Sequence, residues 1–169
     1  MNPQYNMRVG ANAVIVRDDQ LLVVEFNDAT GPHFNLPGGG IEANEHILAG
    51  LRREVREETC AEVTVDRLLL VGEYFPPHYA GFYGPLHKLT LIFRCELIPG
   101  SVPRLPENPD PHQVAVRWLP LRSLPEQPLL PAMLATRLPA LLADPPPSLF
   151  VDDVGILDPT IYNPNRIIP

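Results

Sequence analysis

Glu54, Glu57 and Glu58 are the residues through which this sequence can do chemistry. They lie three and four positions apart, so at about 100° per residue the three carboxylates share one sector of a helix. Ile47, Leu48, Leu51 and Val55 recur at helical spacing on the same segment and form an apolar stripe beside them. The acids are therefore expected half-buried at the edge of that stripe, where mutual repulsion raises their pKa values unless a cation is bound. A hard divalent ion such as Mg²⁺ is the natural partner of such oxygen ligands. The plainer reading is that an acidic helical run is a solvated face, with Arg53 present only to pair with Glu57 one turn on. Gly50 weighs against it, because a small residue in the acidic sector leaves room for a group to approach.

The segment before the helix must deliver these acids. Pro37 followed by Gly38, Gly39 and Gly40 cannot be a helix interior, but lets main-chain groups come close to a ligand. Asn44 is expected as the helix N-cap, with Glu45 favourable at the positive helix end.

The spacing of Gly39, Glu45, Arg53-Glu54-Val55 and Glu57-Glu58 resembles the signature box of the Nudix hydrolases, over residues 39–61, with weaker agreement over about 8–142. The chain departs from the box at one place. Cys60 stands where the family usually has Gly, followed by the small Ala61, which implies about 1 kcal/mol of strain or a different helix end. The resemblance implies Mg²⁺- or Mn²⁺-dependent hydrolysis of a nucleoside diphosphate linked to another group. It implies metal ligation by Glu54, Glu57, Glu58 and the Gly39 carbonyl, with Glu45 or Arg53 holding the arrangement and Glu57 as the water-activating base. It also associates a Pro about sixteen residues after the box with ADP-ribose, and a Tyr two further on with dinucleoside polyphosphates. Pro77 and Tyr79 occupy both places, so the markers conflict. ADP-ribose or a similar nucleotide sugar is preferred, ahead of dinucleoside polyphosphates and nucleoside triphosphates.

The remaining elements follow from local pattern. Val9–Val16 and Leu21–Phe26 read as a hairpin turning at Asp18-Asp19-Gln20, and Phe34–Leu36 as a short strand before the glycines. Val63–Phe75 reads as one long or bent strand, Leu86–Ile98 as another, and Val114–Leu119 as a third carrying Trp118. The loop 76–85 holds Tyr79, Phe82 and Tyr83, which could stack a nucleobase or pack over a sheet edge. His78 and His87 have no metal-type spacing and read as surface or structural residues. The Pro-rich loop 99–112 holds Glu107 and Asp110, candidates for contact with the substrate; many family members place a Glu just before the Trp-containing strand, and here the nearest residue is Gln113, which cannot act as a base, so Glu107 or Asp110 must serve if a loop carboxylate is needed. From Pro131 through Leu142 an apolar helical pattern should cover one sheet face, kinked or divided at Pro139. The whole reads as an α/β/α sandwich with a mixed β-sheet between helices.

Residues 1–144 make one hydrolase domain by this reading, and 145–169 a Pro-rich extension too apolar for a disordered tail, wrapping its own domain or a second copy of the chain in a homodimer. Of 22 prolines, sixteen lie from Pro99 onward, which makes the second half rich in turns. A net charge of −7 disfavours a nucleic-acid surface, mRNA caps included, but allows a small metal-neutralised nucleotide. The start of the sequence has no apolar signal core and no stretch reaches the ~20 apolar residues of a membrane span, so a cytoplasmic protein is expected. Cys60 and Cys95 read as reduced structural thiols; a cysteine-dependent isomerase chemistry has only Cys60 to suggest it. A nucleotide sensor without turnover is the alternative of another class, disfavoured because sensors usually lose box carboxylates that this chain keeps.

Overall fold

The structure is a computed structural model, and residues 6–79, 84–143 and 150–152 are described. Two long strands open the chain, β1 (Met7–Arg17) and β2 (Gln20–Asp28), joined through Asp18 and Asp19, both at positive φ. Two consecutive left-handed residues match the right-handed twist of a tight hairpin, and Asp tolerates that conformation. β3 (Gly31–Asn35) returns along β2, and the glycines themselves form a short strand, β4 (Gly38–Gly40), antiparallel to β1. After helix α1 (Ile47–Thr59) come β5 (Val63–Tyr74), β6 (His87–Leu97), β7 (Gln113–Pro120), β8 (Leu129–Leu130), helix α2 (Met133–Ala143) and β9 (Phe150–Asp152).

The strands make one mixed, curled sheet in the order β8-β3-β2-β1-β6-β5-β9, with β4 paired to β1 and β7 to β2. β1 is central, because its first part pairs in parallel with β6 while its end turns antiparallel into β2. Alternation along β1 sends its side chains to two cores. Ala11, Ala13 and Ile15 join Leu51 and Val55 of α1, together with Val63, Phe93 and Cys95. Val14 faces the other way, into a cluster with Leu70, Ile92 and the α2 residues Leu134, Leu138 and Leu141. Helices thus cover both sheet faces, and the α/β sandwich expected from sequence is present.

Several local expectations are corrected. Asn44 is not the N-cap: it sits in a turn at φ 64, and α1 starts at Ile47 after His46, which makes no side-chain cap bond. The glycine segment is a strand as well as a turn, since its backbone completes the sheet beside β1. Pro139 does not divide α2, which runs through it to Ala143 as one helix. β5 is bent as expected, with register irregularities against β6 between Val65 and Arg67 and between Leu68 and Leu70. In the extension, Phe150–Asp152 runs parallel to Val71–Glu73 of β5; the other tail residues, Leu149, Ile156, Leu157, Ile161 and Tyr162, lie outside the described residues.

Candidate active site

α1 is positioned by Leu51 and Val55, fully buried against the sheet, with Ile47 and Leu48 packed beside them. That fixes the rotation of the helix and aims Glu54 and Glu58 at β4. The fit at the glycines is close. A Cβ at Gly39 would lie 2.5 Å from Glu54 Oε2, so the carboxylate occupies the space that any side chain would need. The Gly38 amide donates to Glu58 Oε2 at 2.8 Å, and a Cβ at Gly38 would stand 2.3 Å from the Ala11 carbonyl oxygen.

The three helix carboxylates are not equivalent. Glu58 is 6% exposed, and burial pushes its pKa up to about 8 despite the bond from Gly38; the charges of Glu54, Asp110 and Glu57 push the same way. Burial also raises Glu54, opposed by Arg53 and reinforced by Glu57 and Asp110. The Glu57 side chain is 56% exposed, so the expectation of three equally half-buried acids is corrected. Desolvation, more than mutual repulsion, is the leading cause of both upward shifts.

Arg53 holds the acids in place. Its Nε and Nη2 donate to the two carboxylate oxygens of Glu45 at 2.8 and 2.9 Å. Nη1 donates to Glu54 at 2.9 Å and to Glu57 at 3.0 Å, and Nη2 reaches the Gly40 carbonyl at 3.2 Å. One guanidinium thus joins three carboxylates and the glycine strand, a use its rigid fork suits better than an ammonium would. The hydrogen bonds from Arg53, then that from the Glu42 amide, hold Glu45 down at about 2. Gly50 has a different role from the one expected: a Cβ there would lie 2.7 Å from Glu45 Oε2 and 2.8 Å from Ile41 Cδ1, so its open space is taken by the partner of Arg53.

Cys60 ends the helix in the left-handed conformation at φ 55, its amide donating to the Arg56 carbonyl. The left-handed helix end that a Gly would take cheaply is therefore formed by Cys60, at a cost of about 1 kcal/mol. Both cysteines are free thiols, and burial pushes buried Cys95 up to about 12, which leaves it inert.

The loop 99–112 closes on the end of α1. Arg104 donates its amide to the Thr59 carbonyl at 2.9 Å. Gln113, 5% exposed, donates from Nε2 to the Glu58 carbonyl at 2.7 Å and accepts from the Asp110 amide at 3.2 Å. Gln113 cannot act as a base, but it fixes the loop, a role of which a polar residue opening a strand gives no sequence signal. Asp110 is brought within electrostatic reach of Glu54 and Glu58. Glu107 is exposed and forms no hydrogen bond or ion pair with the site among the described residues. Phe82 and Tyr83 lie outside the described residues; Tyr79 ends a 3₁₀ turn, Pro76–Tyr79. His87 pairs with Glu73 at 2.6 Å, in keeping with a structural role. Trp118 on β7 carries the Arg17 guanidinium over its ring at 4.5 Å.

As they stand, no three Asp, Glu, His or Cys side chains among the described residues converge on one metal position. Arg53 and the Gly38 amide hold the acids instead. The donor set still suits a hard divalent ion: carboxylate oxygens crowded into a dry corner, with a glycine strand bare of side chains against them.

Comparison with known proteins bears on the family and the fold. The NUDIX domain family model matches residues 6–141. A MutT-like protein of Streptomyces ambofaciens is 32% identical over 113 residues, covering 66% of this chain and 62% of that protein. Nudix hydrolase 5 of Arabidopsis thaliana is 28% identical over 125 residues, covering 72% of this chain and 39% of that protein. The chain thus spans less than two thirds of the length of these curated relatives. Among solved structures, the crystal structure of a MutT NUDIX hydrolase from Burkholderia pseudomallei superposes with a TM-score of 0.60 at 28% identity, over 77% of this chain and 95% of that one. With the family model running through nearly the whole described fold, the chain belongs to the NUDIX domain family.

Proposed function

We propose that this chain is a Mg²⁺- or Mn²⁺-dependent hydrolase that cleaves the pyrophosphate of a nucleoside diphosphate linked to another group, with ADP-ribose or a similar nucleotide sugar as the preferred substrate. The observation that carries the reading is the seating of the Glu54 carboxylate against Gly39, with Glu58 bonded to the neighbouring Gly38 amide. In this reading Glu54, Glu57, Glu58 and the Gly39 carbonyl hold the metal. The ion would neutralise charge on the diphosphate oxygens and lower the pKa of the attacking water.

The chain's own residues supply the rest. Arg53 and Glu45 keep the acids in register. Burial keeps water away from Glu58, while exposed Glu57 can reach bulk solvent and take the proton of the attacking water on a carboxylate oxygen. Asp110, on a loop fastened by Gln113, is the alternative base. Glu57→Gln is expected to lower kcat by about 100-fold or more with little change in melting temperature. Near-wild-type turnover would remove Glu57 from the role and leave Asp110→Asn as the variant to measure.

The substrate preference rests on Pro77, and Tyr79 two residues on argues for dinucleoside polyphosphates; both belong to the one turn Pro76–Tyr79. Residues 1–144 are read as the hydrolase domain and 145–169 as an extension that packs on it, in support of which Phe150–Asp152 runs along β5.

A further inference from the structure

Asn12 stands in the middle of β1 between Ala11 and Ala13, whose side chains join the core beneath α1. Alternation puts the Asn12 side chain on the opposite sheet face, the face of Val14 and of the cluster that holds Leu36. Asn is disfavoured in strands, and a half-buried amide group is retained there where it makes a hydrogen bond that the fold uses. The bond it makes is to the turn between β3 and β4. Asn12 Nδ2 donates to the Leu36 carbonyl at 3.1 Å, and the next main-chain amide of β1, that of Ala13, donates to the Pro37 carbonyl at 2.7 Å.

Two consecutive carbonyls of the turn are thus tied to two consecutive residues of β1, one through a side chain and one through the main chain. The peptide unit from Pro37 to Gly38 is planar and trans, with its carbonyl and its N–H on opposite sides. With the carbonyl directed at Ala13, the N–H points away from β1, and it donates to Glu58 Oε2 at 2.8 Å. Among the described residues that amide is the only hydrogen-bond donor to the Glu58 carboxylate. Asn12 also covers this peptide unit directly. Asn12 and Gly38 are register partners, and a Cβ on Gly38 would stand 2.9 Å from Asn12 Nδ2, so the Asn12 amide group lies where a side chain of residue 38 would be. A side chain on one face of the sheet therefore bears, through a single peptide unit, on a carboxylate of the helix that covers the other face.

We propose that Asn12 is a positioning residue of the site: by fixing the turn from Leu36 to Gly38 from the far face of the sheet, it holds the Gly38 amide on Glu58 and so sets where that carboxylate stands. The role in turnover rests on the hydrolase reading, in which Glu58 is a metal ligand; the tether between Asn12 and the Gly38 amide does not. Asn suits the task because its side chain reaches the turn with an N–H donor and no charge, whereas an isosteric Leu would leave the Leu36 carbonyl without that donor.

The test uses the full chain and two readouts. The first is hydrogen exchange of the Gly38 amide, followed by NMR with chelator present, for wild type, Asn12→Leu, Asn12→Ala and Val14→Ala. Val14 is a fully buried residue on the same strand and the same face, so its truncation weakens β1 without touching the turn. The second is KM and kcat, with Mg²⁺ saturating, on whichever nucleotide the enzyme turns over. The expected result is faster exchange at Gly38 by about tenfold or more in both Asn12 variants, and by less than about twofold in Val14→Ala. In the same Asn12 variants kcat should fall by about tenfold or more with KM within about twofold, the pattern of a displaced group that acts in the transition state. Asn12→Ala, which removes the donor without adding bulk, carries the expectation if Asn12→Leu does not fold. Gly38 exchange unmoved by loss of the Asn12 amide overturns the proposal, and so does faster exchange with kcat unchanged, or a loss in Val14→Ala equal to that in the Asn12 variants. The two readings part cleanly: faster Gly38 exchange in the Asn12 variants of a chain that hydrolyses nothing keeps the tether and loses the hydrolase, and an active enzyme whose Gly38 amide ignores Asn12 does the reverse.

Discussion

Arg53 grips both carboxylate oxygens of Glu45, eight residues earlier and outside the helix, at 2.8 and 2.9 Å, and gives Glu57 one turn on a single bond at 3.0 Å. The spacing on α1 suggests a helix-surface pair; the fold makes the residue a clamp between the helix and the segment after the glycines. Glu45 is reachable because Gly50 leaves the gap its carboxylate fills.

The clamp sets a pH dependence. The Glu45 carboxyl is lowered from 4.5 to about 2 in the folded chain, chiefly by Arg53. A depressed folded pKa adds stability that is fully present above the unfolded value and lost as pH falls from about 4.5 towards 2. Glu45→Gln should therefore melt below wild type at neutral pH, with the gap closing on acidification through that window. Melting curves of both proteins across the range check it; a gap that stays constant would remove Glu45 as the partner that matters.

Two adjacent glycines should fail differently. For Gly39→Ala the three nearest atoms all belong to the Glu54 side-chain carboxylate, so the fold should survive while displacement of that carboxylate lowers kcat by about 100-fold. Gly38→Ala meets the Ala11 carbonyl oxygen and Asn12 Cα, both backbone, from a φ of +140°, and should destabilise by several kcal/mol, on the order of 3. Denaturation midpoints together with turnover separate the two.

Gln113→Leu removes the donor to the Glu58 carbonyl and the acceptor for the Asp110 amide at a buried position. The expected loss is about 2 kcal/mol of stability, from polar groups left without partners. Turnover should fall as well, because Asp110 and the end of α1 lose their common anchor. Urea unfolding and steady-state rates on the same preparation measure both.

With Glu58 in the proposed metal-ligating role, ion binding would be linked to protons. Its carboxyl, pushed up to about 8 by burial, must ionise before it can act as a ligand. Apparent Mg²⁺ affinity should then rise by up to about tenfold per pH unit below that value and level off above it. Glu58→Gln should bind weakly and without that slope. Calorimetric titration at several pH values decides.

The sheet and both helices were legible because their signals are local. Ile47, Leu48, Leu51 and Val55 mark the face that fixes α1, imperfect alternation marks β1, and the apolar run Leu21–Val24 marks β2. The acid positions were legible for the same reason, since one helix carries all three. Partnerships across the chain were not. Asn44 has the chemistry of an N-cap, but the route from β4 turns through it at positive φ and starts the helix later. Pro139 lies in a packed helix whose neighbours Leu138 and Leu141 are buried, and tertiary burial outweighs the hydrogen bond it forgoes. Gly50 takes its meaning from Glu45, which lies off the helix in the preceding turn, and Gln113 from Glu58, 55 residues earlier; the pattern along one element carries no information about such partners.

Hydrolysis itself is the most direct test. Purified protein should be given ADP-ribose, other nucleotide sugars, dinucleoside polyphosphates and nucleoside triphosphates with Mg²⁺, with Mn²⁺ and with chelator, and the products separated by chromatography. A nucleoside monophosphate and a second phosphorylated product are expected from one of these classes, ADP-ribose first, with either metal and none with chelator. Tight binding of a nucleotide without turnover in either metal would contradict it and make the chain a sensor.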